Sequence, residues 1–153
     1  MGAVMIRIAL IAASLGASTA LAADAPSALW ATPGAVSYHL THRERNHNEV
    51  NAGFGVEYQR SERSALMLGV YHNSQRKWSR YALYQYTPLA VGKYIRIGAM
   101  AGAVDGYGDQ VRPVVIPTAS IETRRHGLNL SFVPETSAAN NAAAITLQFK
   151  SRF

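Results

Sequence analysis

The sequence of 153 residues contains no cysteine. A disulfide framework is therefore excluded, and the stability of the chain must come from another source. Beyond the N-terminal segment, no apolar run is long enough for a transmembrane helix, and no long segment has the periodicity of an amphipathic helix. The chain instead shows short segments of alternating apolar and polar residues, separated by polar or Gly/Pro breaks, which is typical of β-strands.

The N-terminal segment predicts export. Residues 1–22, MGAVMIRIALIAASLGASTALA, combine one arginine, an apolar stretch and a small-x-small end, which is the pattern of a secretory signal peptide. An N-terminal anchor helix is the alternative, although the apolar run is short for a membrane span. We expect cleavage after Ala22, a linker at 23–34 that contains Pro33 and Gly34, and one β-barrel domain at 35–153.

The formal net charge of +6 points to an anionic surface as partner. Nucleic acid is a poor candidate for an exported chain, and we expect no nucleic-acid partner. Anionic lipid headgroups fit both the charge and the export signal. The sequence shows no metal-ligand spacing, phosphate-binding loop or paired carboxylates, so we expect neither a metal nor a cofactor.

Eight segments of the chain are predicted as strands. They are 35–43, 50–60, 64–74, 77–87, 93–104, 111–123, 126–133 and 143–153. In the second, Ala52, Phe54, Val56 and Tyr58 alternate with polar or glycine residues, so that one face of the strand is apolar. The phase of the fourth segment is ambiguous, because apolar residues occupy both of its faces.

An eight-stranded antiparallel up-and-down outer-membrane β-barrel is the fold class that this pattern favours. In such a barrel the apolar face points to lipid, and the polar and glycine face fills the lumen. The even strand count, the strand length and the export signal favour it, because a closed barrel leaves no strand edge in the membrane. The terminal Phe153 also resembles the C-terminal signal of outer-membrane barrels. A soluble lipocalin-like barrel is the alternative.

Three prolines stand where the wall of a barrel should have none. Pro113 and Pro117 lie within the sixth segment, and Pro134 ends the seventh. Proline cannot donate a hydrogen bond to a neighbouring strand, so two nearby prolines predict a local gap in pairing. One interpretation is that the strand is short and the prolines lie in a loop. The other is a lateral opening through which a lipid chain enters the lumen.

The candidate chemistry centres on histidine, the commonest general base in acyl transfer. His39 shares its face of the first strand with Ser37 and Thr41, so it should point to the lumen. In the third segment, His72 and Ser74 share a face, a weak pattern by itself. His42 and His47 lie in a polar loop and are expected to be solvated.

The motif order resembles the lipid A palmitoyltransferase (PagP) family. The matching stretches include Tyr38-His39, NAGFGVEYQ, YHNS, RIGAMAGAV, RPVVIPTASIE, LSFVPE and ITLQFKSRF. Members of that family are eight-stranded outer-membrane barrels that move a palmitoyl chain from a phospholipid to lipid A. The resemblance places the family's catalytic His, Asp and Ser on His39, Asn73 and Ser74. It also implies that the prolines mark the lateral opening.

The resemblance implies an outer-membrane acyltransferase that acts on phospholipid and lipid A as a monomer. Arg76, Lys77 and Arg80, which follow the YHNS stretch, would then face lipid phosphates; a solvated basic loop is the alternative. The chain has Asn73 where the family has an ionisable carboxylate, and residues 23–34 are too short for the family's N-terminal helix. A non-catalytic barrel with a structural or surface-interaction role is therefore the second hypothesis, and a soluble lipid-binding barrel the third.

Overall fold

The computed structural model describes residues 27–136 and 142–153. Within them the chain forms eight strands, each paired antiparallel with the next and the last with the first. The predicted eight-stranded antiparallel barrel is thereby confirmed. The elements are β1 Ala28–His39, a 3₁₀ turn Arg43–Arg45, β2 Val50–Ser61, β3 Ser64–His72, β4 Trp78–Val91, β5 Ile95–Val104, β6 Arg112–Glu122, β7 His126–Val133 and β8 Ala144–Arg152. The described residues contain no helix that is long and apolar enough to cross a membrane.

The first strand begins at Ala28, so residues 28–34 belong to the sheet and not to the predicted linker. Pro33 and Gly34 suggested a break, because both residue types weaken strands. In the structure they lie at a β-bulge, where the register against β2 shifts between Thr32 and Gly34 and Gly34 takes a φ of 111°. A bulge is one of the few places in a sheet that accept proline. The predicted signal peptide at 1–22 lies outside the described residues.

The two ends of the barrel differ in their connections. The turns 62–63, 92–94 and 123–125 are short and lie at one end, which we call the short-turn end; both termini of the barrel lie there as well. The connections 40–49, 73–77 and 105–111 lie at the other, the loop end, as do residues 134–136 and 142–143. Outer-membrane barrels have short turns on the periplasmic side and longer loops outside, and this chain has the same asymmetry.

The outer surface carries the apolar face of the strands. Leu68, Leu89 and Val115 are among the large apolar side chains that remain exposed along the wall. Exposed aromatic side chains lie near both ends: Tyr38 and Trp78 near the loop end, and Tyr58, Tyr86, Tyr94 and Phe153 near the short-turn end. An apolar band between two aromatic girdles is the surface that a lipid bilayer requires.

A charged network fills the lumen near the short-turn end. The Lys150 Nζ atom lies 2.6 Å from Glu57 Oε1 and 2.6 Å from Glu122 Oε1, and it donates to Ser120 Oγ at 3.3 Å. Lys150 and Glu57 are fully buried. Because buried charges are costly without partners, the lysine and the two carboxylates depend on one another.

Neutral side chains complete this network. Asn129 Nδ2 donates to Glu57 Oε2 at 3.2 Å, and Gln59 Nε2 donates to Glu122 Oε2 at 3.0 Å. Trp30 Nε1 donates to Gln59 Oε1 at 3.1 Å. We call this set, with Lys150 and Ser120, the lumen floor. It fills the short-turn half of the lumen with hydrogen-bonded side chains, as expected for a barrel of this size.

One side of the lumen towards the loop end, formed by β3–β6, is apolar, which the sequence pattern did not predict. Met67, Leu83, Met100 and Val104 form a buried cluster there, with Val114 and Ile116 packed against it. The remaining lumen wall has the predicted polar and glycine character, and Ser37, Asn51 and Thr146 continue it towards the loop end. The same cluster explains the ambiguous phase of the fourth predicted strand, since β4 presents Leu83 to the lumen and other apolar residues to the outside.

We predict that Lys150→Met destabilises the barrel by about 3–5 kcal/mol, because it leaves two buried carboxylates without their cation. Urea unfolding of the barrel in detergent micelles measures the change. The matched control is Lys93→Met, which removes an exposed lysine in a short turn and should leave stability within about 0.5 kcal/mol. Equal stability of the two variants would contradict the assignment of the lumen floor.

Candidate functional site

A cavity of about 180 Å³ occupies the loop-end half of the lumen. Its wall includes the apolar cluster of Met67, Leu83, Met100 and Val104, and its polar lining includes His39 and Ser74. Asn129 and Gln148 also line it, and Asn129 belongs to the lumen floor. The cavity is smaller than the roughly 300–1,000 Å³ of common ligand pockets.

His39 is the last residue of β1 and points into this cavity, on the face that the sequence predicted. Its ring stacks on the ring of His47, with centroids 4.0 Å apart and an angle of 17° between the planes. Its Nδ1 atom lies 3.8 Å from Glu49 Oε1 and has no hydrogen-bond partner. Only 5% of the residue is exposed. The Nδ1 atom is thus buried and faces the carboxylate of Glu49 without a hydrogen bond to it.

Ser74 lines the same cavity from the β3–β4 connection. The backbone N–H of Asn48 donates to its carbonyl oxygen at 2.9 Å, and the neighbouring His47 stacks on His39. Residues 47–48 thus connect the two candidates. His39 belongs to β1 and Ser74 to the β3–β4 connection, yet both line the same cavity.

Asn73 has no free hydrogen-bonding group. Its Nδ2 atom donates to Ser79 Oγ and to Gly106 O, both at 2.9 Å. Its Oδ1 atom accepts from the backbone N–H groups of Gln75 at 2.9 Å and Lys77 at 3.0 Å. Since an amide offers two donors and two acceptor sites, every one of them is used. Asn73 is fully buried and ties the β3–β4 connection to the β5–β6 connection.

The three predicted lipid-binding bases differ in their contacts. Arg76 has a φ of 60°, and its Nη1 atom donates to the carbonyl oxygen of Asn46 at 2.9 Å. Arg80 pairs with Asp105, with 2.6 Å between Nη2 and Oδ2. Lys77 is exposed. Arg76 and Arg80 are therefore partly engaged in holding the connections in place.

The Arg80–Asp105 pair is ionised near neutral pH. The backbone N–H of Arg80, followed by its guanidinium, holds the pKa of Asp105 below its usual value. The guanidinium nonetheless remains largely open to solvent, with 79% of the side chain exposed. Arg80 can therefore meet an additional anion at the outer surface of the loop end.

The predicted prolines line an incomplete seam of the barrel. Pro113 and Pro117 lie inside β6, in register with Ala103 and Ala99 of β5. They are therefore part of a strand and do not lie in a loop. On the other side of β6, pairing with β7 covers Thr118–Glu122 alone, so residues 112–117 have no register partner on β7. Pro134 directly follows β7.

His47 and Glu49 belong to this site, and sequence reasoning missed both. His47 was expected to be solvated, but its ring covers His39 and its Nε2 atom is buried without a partner. Both contacts depend on how the ten-residue connection 40–49 folds back over the lumen. Strand periodicity does not predict the path of a connection. Among the described residues, no group of three or more histidine, cysteine or acidic side chains could hold a metal ion.

The fold has counterparts among solved structures. A de novo designed transmembrane β-barrel, TMB2.3, solved by NMR, has a TM-score of 0.63 at 15% identity and matches 86% of this chain and 98% of its own. A second de novo designed transmembrane β-barrel gives a TM-score of 0.64 at 13% identity, with 85% of this chain and 99% of its own. The N-terminal β-barrel domain of OprF from Pseudomonas aeruginosa gives 0.52 at 12% identity, with 83% and 97% covered.

These likenesses establish the class of the protein at the level of the fold. It is a small eight-stranded barrel of the transmembrane, outer-membrane type. No protein-family model and no curated protein matches the sequence. Neither these structures nor any sequence match supports the PagP family in particular.

We predict that Asn73→Ala destabilises the barrel by about 2–4 kcal/mol, because it removes four hydrogen bonds and leaves buried partners unsatisfied. Urea unfolding monitored by tryptophan fluorescence measures the loss. The control is Gln75→Ala, which keeps the backbone of the same connection and removes an exposed side chain. A small effect of Asn73→Ala, equal to that of the control, would show that the connection does not depend on this amide.

Proposed function

We propose that this barrel transfers an acyl chain from a phospholipid to lipid A in the outer membrane. The observation that carries the proposal is the cavity. Its wall is largely apolar, and His39 and Ser74 line it. Beside it, residues 112–117 of β6 have no register partner on β7. Such a lumen could accept a hydrocarbon chain from the bilayer at little cost, because the chain moves from one apolar environment to another and exposes no methylene groups to water. The polar lumen floor would limit how deeply the chain enters.

The seam between β6 and β7 is the proposed route for the chain. Ile116 of β6 and Val133 of β7 both line the cavity, and the pairing of the two strands ends at Thr118 and Ser131. Pro113 and Pro117 remove two backbone donors from this part of β6, which lowers the cost of leaving it unpaired in lipid. The acyl chain would pass sideways from the bilayer into the lumen, so the lipid headgroup need not cross the wall.

In the proposed reaction, His39 accepts the proton of a lipid A hydroxyl group. The hydroxyl oxygen then attacks the ester carbonyl carbon of the phospholipid, and the Ser74 hydroxyl donates a hydrogen bond to the carbonyl oxygen as negative charge develops there. The new ester bond forms as the old one breaks. His39 returns the proton to the departing lysophospholipid, so no water or cofactor is consumed.

Glu49 is the proposed positioning residue for His39. Its Oε1 atom accepts the backbone N–H of His39 at 3.3 Å and lies 3.8 Å from Nδ1. A carboxylate beside the imidazole stabilises the protonated ring, which the amide of Asn73 cannot do. Glu49 would therefore supply the charge that the family places at position 73, while Asn73 shapes the connection.

The basic side chains of the β3–β4 hairpin would bind the phosphate groups of the two lipids. Lys77 and Arg80 are exposed at the loop end, where the headgroups of the outer leaflet would lie. Arg76 would contribute through the connection that it holds against Asn46. The proposal needs one copy of the chain, because the cavity and its polar lining come from a single barrel.

We predict that cells expressing the wild-type barrel add one acyl mass to lipid A, and that His39→Ala and Ser74→Ala abolish it. Mass spectrometry of extracted lipid A measures the addition. Glu49→Gln should reduce transfer and Glu49→Asp should restore it, because the aspartate keeps the charge. The matched control is His126→Ala, which removes an exposed histidine at the short-turn end. No added mass from a folded wild-type barrel would overturn the proposal.

A covalent bridge across the seam tests the route. The barrel has no native cysteine, so Ile116→Cys and Val133→Cys can be joined by a short bifunctional thiol reagent. We predict that the bridge abolishes transfer and that cleaving a reducible bridge restores it. The control joins Ile121→Cys to Leu128→Cys, a pair already in register, and should leave transfer unchanged. Unchanged transfer with the 116–133 bridge would rule out this seam as the route.

A non-catalytic barrel is the second candidate. The full engagement of Asn73 in structural hydrogen bonds favours it, and so does the cover of His47 over His39. In this case the cavity would hold a lipid chain without chemistry. An unchanged lipid A spectrum together with a lipid chain bound in the lumen would distinguish it from the transferase.

A further inference from the structure

The charges of the barrel are segregated between its two ends. The short-turn end carries seven basic side chains and one acidic side chain, Glu62. The seven are Arg60, Arg63, Lys93, Arg96, Arg124, Arg125 and Arg152, and we call them the basic collar. Within residues 27–136 and 142–153, the one ion pair made by the collar joins Arg96 to Glu62 at 2.9 Å. Most of the collar's charge is therefore available to an external partner.

At the loop end and in the lumen, the basic and acidic side chains nearly balance in number. The loop end has six basic and five acidic side chains in the described residues, and the lumen floor has one lysine and two glutamates. The net positive charge of the described chain thus lies almost wholly at the short-turn end. A charge difference of this kind between the two ends does not follow from the requirements of the barrel wall.

The collar lies at the depth of lipid headgroups. The exposed aromatic side chains Tyr58, Tyr86 and Tyr94 lie on the outer surface near the same turns. Aromatic girdles of membrane barrels mark the interface between hydrocarbon and headgroups. Basic residues at the ends of the same strands would then be level with the phosphate groups of the surrounding leaflet.

The collar also surrounds the barrel. Bases occur at each short turn: Arg60 and Arg63 beside 62–63, Lys93 within 92–94, and Arg124 and Arg125 within 123–125. Arg96 and Arg152 lie at the mouth of the lumen, in register with the inward-facing Ser120 and Trp30. A protein partner docking at one side would require a one-sided cluster. A ring of bases at every turn suits a partner that encircles the barrel, as a lipid leaflet does.

We propose that the basic collar binds the anionic headgroups of phospholipids in the leaflet at the short-turn end. The attraction is electrostatic, and each base near an anionic surface contributes about fivefold in affinity. This interaction anchors the barrel at a fixed depth and gathers anionic phospholipid around it. It is independent of acyl transfer, since none of the collar residues lines the cavity at the loop end.

The test measures lipid selectivity of the folded barrel in phosphatidylcholine bilayers that contain trace spin-labelled phosphatidylglycerol or spin-labelled phosphatidylcholine. Electron paramagnetic resonance gives the fraction of each label held at the protein surface. We expect the wild-type barrel to prefer phosphatidylglycerol about fivefold, and the preference to weaken as salt is raised above about 0.15 M. The probe reports lipid contact whether or not the barrel has enzymatic activity.

Charge variants locate the preference. Arg124→Gln with Arg125→Gln should reduce it, and adding Arg60→Gln and Arg63→Gln should nearly remove it. The matched control is Arg43→Gln with Arg45→Gln, which removes two exposed bases at the loop end and should retain most of the preference. A folded barrel and a heat-denatured barrel migrate differently on gels. A variant whose heated and unheated samples migrate alike has therefore not folded.

Two results would overturn the proposal. A wild-type barrel with equal affinity for the two lipids would show that the collar does not bind headgroups, and would point to a soluble polyanion or a protein partner. Equal loss of preference in the short-turn and loop-end variants would show that total charge, and not the collar, sets the selectivity. Neither result bears on acyl transfer, which is measured separately by the mass of lipid A.

Discussion

Backbone pairing around the barrel is the constraint on which the rest of this structure depends. In a bilayer each unpaired backbone group costs several kcal/mol, so the strands must close on one another, and β8 returns to β1. Closure fixes which side chains face lipid and which fill the lumen. Residues 112–117 of β6 are an exception, because they have no register partner on β7. Two of these residues are prolines, which carry no backbone donor to satisfy.

Closure also divides the lumen into two unlike halves. Near the short turns, Lys150 and its carboxylate partners form a buried, mutually dependent floor. Nearer the loops, apolar side chains line a cavity that ends at His39 and Ser74. A charged floor below an apolar cavity defines a chamber with one closed end, open towards the loops and beside the β6–β7 seam. The hydrogen-bonded floor fills one end of the lumen, and the cavity lies above it.

Strand periodicity made the fold predictable, because alternation with a period of two encodes which residues face lipid. It located eight strands and placed His39 on the inner face. It failed at β1, where the bulge at Pro33 and Gly34 looked like the end of a linker. It also could not anticipate the apolar side of the lumen, because an apolar inner face and an apolar outer face look alike in sequence.

The candidate site was only partly predictable for a different reason. The motif YHNS drew attention to Asn73 and Ser74, but the hydrogen bonds that commit Asn73 to its connection depend on Ser79 and Gly106, which lie far along the chain. The stacking of His47 and the approach of Glu49 depend on how a long connection folds back over the lumen. Such contacts are tertiary and leave no periodic trace.

The proposed transfer requires that a lipid acyl chain occupies the loop-end half of the lumen. Of the four methionines in the sequence, Met67 and Met100 lie in the barrel, and both line this cavity. Carbon-13 labelling of methionine and leucine methyl groups therefore gives two NMR probes inside it, with leucine probes on the outer wall. In phospholipid nanodiscs, we predict nuclear Overhauser effects from acyl-chain methylene protons to both methyl groups, with outward-facing Leu68 as the reference for ordinary lipid contact. Contact of lipid with Leu68 but with neither methionine would contradict the proposal.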